Sequence, residues 1–398
     1  MRLNHLTLTN YRAFSRLDMD LPRRILLLVG ANAQGKTSLL EAIYFFSTFT
    51  SIQASNDRQL INFLALNEPL AVTRLLAEIE KKEKKHQIEI RLILDQSNNN
   101  GNARLRKEIL IDGVKRSAHQ AVGLFNAVIF LPNMTRIIEG GPDERRRYLN
   151  LALAQTVPGY AQALSDYAQA ISQRNALLKQ LAERSSDPAQ LDYWDELTAD
   201  RGAFILFQRI QALEEMQSIL TQTHRHLTRD KEILHFNFQS SLEITPTFFG
   251  SPDQNQNHLN VEKIKSNFLE ELKLKRREEI ARGVTTIGPH RDELRFLSNQ
   301  IDLGIYGSRG QIRTALLSLK LAEVEWMFQK TGEYPVLLLD ETLAELDVER
   351  RADLLSYLNN GKQAILTTTD LDLFEPDFVQ TADIWQIHGG LVKPEKQG

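Results

Sequence analysis

Residues 30–37, Gly30-Ala31-Asn32-Ala33-Gln34-Gly35-Lys36-Thr37, continued by Ser38, satisfy the Gly-x4-Gly-Lys-Ser/Thr phosphate-loop pattern in full. An almost unbroken apolar run, Ile25-Leu26-Leu27-Leu28-Val29, precedes the loop. Such a run suits a central parallel strand covered on both faces. Residues 37–43 follow with a helical pattern. The two glycines let the backbone wrap phosphate oxygens with successive N–H groups pointing inward, and the helix behind adds the positive end of its dipole. Lys36 brings a point charge to the β- and γ-phosphates, and Thr37 a hydroxyl to a magnesium ion.

A phosphate loop needs a carboxylate at the end of a hydrophobic strand to hold that magnesium. Pro335-Val336-Leu337-Leu338-Leu339-Asp340 is such a strand, so Asp340 joins Thr37 as the expected metal site. Glu341, next in the chain, is placed to polarise an attacking water. Lys36, Asp340 and Glu341 are the expected catalytic set. Guanine-reading Asn-Lys-x-Asp is absent, and Lys36 and Asp340 lie unusually far apart for a GTPase or small-molecule kinase.

The intervening chain has its own organisation. Residues 87–94 and 107–111, the latter running into Asp112-Gly113, read as strands of an antiparallel insertion over about residues 71–131, with a solvated tip at 98–102. Residues 127–131 read as another buried strand. From 143 to about 230 the pattern is helical. Tyr160, Leu164, Tyr167, Ile171, Leu178 and Leu181 form a heptad seam with Arg174 at a skipped position. A break at Ser185-Ser186-Asp187-Pro188 leads to a second helix with Leu197, Phe204, Phe207, Ile210, Leu213 and Leu220 on one side, an expected antiparallel hairpin. Residues 251–260 read as a loop and 263–282 as a charged helix; α/β character then returns, with a further strand at 363–367.

Composition narrows the classes further. The net charge of −3 argues against a uniformly basic protein but leaves room for a local basic face. With no cysteine, disulfides, thiolate zinc sites and iron–sulfur clusters are excluded. The first residues lack the apolar core of a signal peptide, and no apolar run approaches a membrane span. The expectation is a soluble, cytoplasmic, multi-domain protein.

The wide separation of phosphate loop and carboxylates, with helices inserted between them, resembles an ABC-type ATPase head of the SMC-like branch. That class implies a Ser-x-Gly turn opening a helix ahead of the Asp340 strand, and Gly307-Ser308-Arg309-Gly310-Gln311 fits it. The class uses this turn to meet the γ-phosphate held by a second subunit, which makes Ser308, Gly310 and Gln311 nucleotide contacts. Ala344-Glu345-Leu346-Asp347 fits the D-loop, bringing in Asp347.

Three further motifs sharpen the match. Asn10-Tyr11-Arg12, Gly140-Gly141-Pro142-Asp143-Glu144-Arg145-Arg146-Arg147 and Gly288-Pro289-His290-Arg291-Asp292 resemble, in order, the RecF family of bacterial recombination mediators. The resemblance implies an α/β fold: an ABC-type ATPase head, that is a P-loop NTPase split in sequence with an antiparallel β subdomain, plus an inserted α-helical lobe with a helical hairpin. Residues 1–142 and 284–398 are then the head (lobe I), and residues 143–283 the inserted lobe II. It also implies ATP and Mg2+ as cofactors, an ATP-dependent homodimer, and slow DNA-dependent hydrolysis of ATP to ADP and phosphate. DNA at single-strand/double-strand junctions or gaps is the expected partner. Action with RecO and RecR to load RecA during replication, DNA damage repair and the SOS response is implied too. Arg12 is expected on the nucleotide or at an exposed strand end; Asn133, after Leu131-Pro132, is expected to orient water or metal; His290 is expected to be structural. Thr367-Thr368-Thr369-Asp370 holds no His where many ABC enzymes have a switch His, which accords with slow turnover. The segment 48–55 lacks the Arg residues usual in the family.

Basic clusters at 81–85, at Arg104, Arg106 and Lys107, and at 273–277 are candidates for DNA phosphates; without a helix-turn-helix or zinc-finger pattern, contact should be backbone-directed. Two alternatives stay open: a nucleotide-gated DNA clamp without significant turnover, and another SMC-like or ABC-class ATPase such as a transporter subunit or nuclease-linked enzyme.

Overall fold

The computed structural model describes residues 1–96, 104–183, 187–243, 260–359 and 361–395. The expected loops at 98–102 and 251–259, and Ser185 and Ser186 of the expected helix break, lie outside the described residues. The strands are, in chain order, β1 (Arg2–Tyr11), β2 (Phe14–Asp20), β3 (Ile25–Val29), β4 (Leu70–Lys81), β5 (Lys84–Asp95), β6 (Arg104–Ile111), β7 (Val114–Arg116), β8 (Ala127–Phe130), β9 (Leu234–Gln239), β10 (Glu293–Ser298), β11 (Ile301–Asp302), β12 (Val336–Asp340), β13 (Ala364–Thr368), β14 (Asp383–His388) and β15 (Leu391–Pro394). The chain divides into two compact units, Met1–Met134 with Leu319–Gly398, and Thr135–Ser318.

The first unit holds two six-stranded sheets. One has the order β15-β14-β3-β13-β12-β8, and all its pairs are parallel except β14 with β15. Every residue of β8, β12 and β13 is buried, and all of β3 but its last. That explains why these strands read as apolar runs with no alternation. The order places β13 between β3 and β12, so the loops after β3 and β12 open at the same sheet edge.

The second sheet, β2-β1-β4-β5-β6-β7, is antiparallel. The expected insertion is therefore not a separate layer: β4 pairs along β1, so the N-terminal hairpin and the insertion form one sheet. The Asp112-Gly113 turn is as expected, with both residues at positive φ. Lys82 and Glu83 make the equivalent turn between β4 and β5.

The second unit packs three long helices, Tyr160–Glu183, Asp192–Leu227 and Val261–Arg282, with the small sheet β11-β10-β9. Tyr160 meets Arg209 and Arg174 meets Asp195, so the first two helices run antiparallel, as a hairpin. Two details differ from the sequence reading. Arg174 does not skip the seam but fills it, fully buried and ion-paired to Asp195 and Glu279. The second helix has more than one buried stripe, with Ala199, Gly202, Ala203, Leu206 and Ile210 inside while Leu197, Phe204 and Phe207 are only half-buried. The cause is the third helix. Phe268 and Tyr167 close on Gly202 from two elements, and a Cβ there would lie 2.6 Å and 3.0 Å from their rings.

The unit boundaries also differ from the expected 142/143 and 283/284. β10 pairs with β9 from Glu293↔Gln239 to Ser298↔Leu234, which ties residues 284–318 to the helical segment. No helix among the described residues is long and apolar enough to cross a membrane.

Candidate nucleotide site

The phosphate loop leaves β3 with Gly30 N–H bonded to Thr368 O of β13 at 3.2 Å. Gly30 has Ile387 O against its Cα, where a Cβ would collide with the carbonyl. Gly35 sits at φ 106, a conformation that only glycine adopts at no cost, and it starts the helix Lys36–Thr48. Gln34 staples the loop to the β14–β15 turn: its Oε1 accepts from Gly389 N at 2.6 Å and its backbone O from Gly390 N at 3.2 Å. Sequence reasoning missed this clamp, although Gly389-Gly390 between Ile387-His388 and Leu391-Val392 carries a hairpin signal. Asn32 and Ala33 are exposed at the loop's crest with Ala31, and Ser38 is half-buried behind them.

Lys36 is buried, and its Nζ is held by Gly30 O at 2.5 Å, Ala31 O at 3.1 Å and Glu341 Oε1 at 2.9 Å. Thr37 Oγ1 donates to Asp340 Oδ2 at 2.7 Å. Asp340, at the end of β12, accepts on its other oxygen from Thr367 Oγ1 at 2.7 Å. The same Thr367 hydroxyl accepts from Glu341 N at 3.1 Å. Thr367 thus holds the Asp340 carboxylate and the Glu341 backbone, and its place in β13, paired opposite Asp340, makes that possible. The sequence marked 367–370 only by the missing His.

The donors fit the expected ion. A threonine hydroxyl and a carboxylate touching each other are hard oxygen ligands suited to magnesium, which takes few protein ligands and keeps phosphates and waters. Among the described residues no cluster of three or more His, Cys, Asp or Glu could hold a metal by itself. Thr37 and Asp340 would need phosphate to complete the shell.

Arg12, Asn133 and Asp347 lie in the same compact unit. Arg12, at φ 49 in the β1–β2 turn, is not an exposed strand end. Its guanidinium lies 2.5 Å from Glu41, a buried acid of the Lys36–Thr48 helix. Ser51 also donates to Glu41, so residues 48–55, lacking arginine, still dock on that helix. Asn133 is exposed in the turn after β8, next to β12 in the sheet. Asp347 caps the helix Val348–Leu358 by accepting from Arg350 N at 2.9 Å.

Ser308, Gly310 and Gln311 belong to the other compact unit. Ser308, Arg309 and Gly310 are exposed. Gln311 N donates to Ser308 Oγ at 3.2 Å and Ser308 N to Gln311 Oε1 at 3.0 Å, a reciprocal capping box at the start of Arg309–Thr331.

In that unit the two arginine-bearing motifs dock on each other. Arg145 makes a two-bond pair with Glu293, at 2.8 Å and 3.0 Å, and also donates to Gly140 O. Arg146 donates to Asp292 O, and Arg209 to Pro289 O and Asp292. His290 Nδ1 faces Tyr167 OH at 2.7 Å and its Nε2 faces Thr285 O at 3.3 Å. Burial, and then the neighbouring arginines, push its pKa down to about 4, so the ring is neutral and structural. The basic clusters are partly spent inward: Lys81 on Gly123 O, Lys107 on Asp57 and Phe49 O, Arg276 on Asp192 and Asp195. Lys82, Lys84, Lys85, Arg104, Arg106, Lys273 and Arg277 remain exposed.

A parallel sheet carrying a phosphate loop and paired acids at one edge, with an antiparallel β subdomain and an inserted helical unit, defines an ABC-type ATPase head of the SMC-like branch. The chain belongs to the RecF/RecN/SMC N terminal domain family, which matches residues 2–386, and within it to RecF. It is 35% identical over 394 residues to the DNA replication and repair protein RecF of Enterococcus faecalis, covering 99% of each chain. It is 34% identical over 404 residues to RecF of Chloroflexus aurantiacus, covering 98% of this chain and 99% of that one. A solved structure of the recombination mediator protein RecF with ATP superimposes with a TM-score of 0.83 at 30% identity, covering 99% of this chain and 97% of that one. An Smc head bound to the C-winged helix domain of ScpA shares the fold at a TM-score of 0.52 and 14% identity, covering 99% of this chain and 98% of that one.

Proposed function

We propose that this protein is a DNA-binding ATPase of recombinational repair that dimerises on DNA when ATP binds and hydrolyses that ATP slowly. The observation that carries the reading is the cluster of Lys36, Thr37, Asp340 and Glu341 at one sheet edge, with Thr37 already on Asp340 and Lys36 already on Glu341.

Lys36 and the loop N–H groups bind the β- and γ-phosphates. Thr37 and Asp340 would hold magnesium, which would supply positive charge to the triphosphate. Glu341 takes a proton from the water that attacks the γ-phosphorus. The bond from that phosphorus to the bridging oxygen breaks, and ADP and phosphate leave. Phosphate oxygens and Glu341 compete for one ammonium group, and the segment directly after β13, residues 369–382, holds no His, so turnover is slow. The exposed Ser308–Gly310 turn of one copy meets the γ-phosphate on the other, and Asp347 lies at the same face-to-face contact. By analogy with relatives described as recombination mediators of the RecFOR pathway, the DNA is a gap or a single-strand/double-strand junction, and RecO and RecR are the partners in loading RecA.

The Lys36–Glu341 pair also favours a second reading, a nucleotide-gated clamp in which Glu341 serves association and not turnover. Sizing the protein without nucleotide, with ADP and with a non-hydrolysable ATP analogue, each with and without gapped DNA, together with steady-state phosphate release from ATP, tests both. Association should require the ATP analogue, and Lys36→Ala and Ser308→Arg should each abolish it. Normal pairing by both variants would sink the shared-site model. Phosphate release indistinguishable from background would leave the clamp.

A further inference from the structure

Gln311 uses both ends of its side-chain amide. Its oxygen holds Ser308 N, as the capping box requires, and its nitrogen donates to Glu232 Oε1 at 3.1 Å. Glu232 lies between the helix Asp192–Leu227 and β9. Its other oxygen accepts from Ser298 Oγ of β10 at 2.8 Å and lies 3.5 Å from Nε2 of the fully buried His224. His224 in turn meets Ser318 Oγ of the Arg309–Thr331 helix at 2.9 Å. Burial alone would raise the Glu232 carboxyl, but Ser298, Gln311 and His224 together hold it below its ordinary value.

An amide whose nitrogen is tied to a carboxylate cannot flip, so Gln311 Oε1 must face Ser308 N. The cost of placing an acid near an anion-binding turn is met by committing that acid to neighbours on β10 and the preceding helix. We propose that Glu232 is a positioning residue: it locks Gln311 and so pre-sets the Ser308–Gly310 turn for the triphosphate presented by a second copy. This rests on the shared-site reading above. It adds a residue 76 positions before Ser308 that acts through Gln311.

The test compares Glu232→Ala, Glu232→Gln, Ser298→Ala and Ser308→Arg by sedimentation equilibrium with magnesium and a non-hydrolysable ATP analogue. Fluorescent ATP binding to each protein and thermal melting are measured alongside. A hydrogen bond to a charged group sets the scale, so Glu232→Ala should weaken association about tenfold and Ser298→Ala about threefold. Fluorescent ATP affinity should stay within about twofold, because the phosphate loop is untouched. Glu232→Gln keeps an oxygen for Gln311 and should associate within about threefold of the parent. Parent-like association by Glu232→Ala while Ser308→Arg fails would overturn the inference and leave the shared-site reading standing. Parent-like association by Ser308→Arg would remove that reading and the inference with it. A glutamine variant as weak as the alanine one, or equal losses in ATP binding, also counts against it. Should the alanine variant not fold, an unaffected Ser298→Ala is decisive against it.

Discussion

At the residue scale the site is organised by one hydroxyl. Thr367 donates to Asp340 and accepts from Glu341 N, so the Asp340 carboxylate and the Glu341 backbone are held by the same atom. Glu341 stands at φ 48, in the left-handed region that a non-glycine residue occupies only when its surroundings enforce it. The backbone there turns the side chain toward Lys36. Glu341→Gln should lower steady-state phosphate release at least about 100-fold, the lower range for removal of a general base. It should keep ATP binding and prolong the ATP-bound dimer, read by sedimentation. Loss of ATP binding together with turnover would assign Glu341 to the nucleotide and not to water. Most of this was legible beforehand, because the phosphate loop and the acid after a buried strand are local patterns. Thr367 was not, since an isolated threonine in an apolar strand carries no mark of what it faces.

Among the elements, the helical unit is held by buried polar groups and not by apolar seams alone. Arg174 is enclosed with Asp195 and Glu279, and Arg276 adds a second hold on Asp195. Removing one member of such a group leaves charge unpaired in the interior. Arg174→Ala should therefore lower stability by about 3–5 kcal/mol in urea denaturation. A cost under about 1 kcal/mol would mean that water reaches the pair. His290 adds a pH dependence. Its folded pKa of about 4 lies below the unfolded value, so the unfolded chain binds the proton more readily as pH falls. Stability from this group is complete above about pH 6.5 and declines toward pH 4. The parent should lose about 2 kcal/mol more than His290→Gln between pH 7 and pH 5. An identical acid slope in both proteins would place the titration elsewhere. The helical hairpin was readable from its periodicity. The buried arginine was not, because charge at a seam position reads as a gap until its acids, from two other parts of the chain, are seen.

For the whole molecule, the proposed composite site makes a prediction that no single-site protein shares. A symmetric face-to-face dimer uses the phosphate loop of one copy with the Ser308 turn of the other, twice. Lys36→Ala retains an intact turn and Ser308→Arg an intact loop. Mixed in equal amounts, they should regain one working site per pair and partial ATP-driven association that neither shows alone. No recovery on mixing would mean that loop and turn act within one chain.

The amino-acid sequence alone determined the phosphate loop, its flanking strand and helix, the acid pair ending an apolar run, and the capping turn at Ser308, because each is specified by residues within a few positions of one another. Tertiary structure decided which distant pieces meet. Thr37 reaches Asp340 across 303 positions only because β13 is inserted between β3 and β12. The N-terminal hairpin joins the insertion because β1 has an open edge for β4. Strand order and pairing are settled by burial of whole sheet faces, a property of the assembled chain that no local spacing encodes.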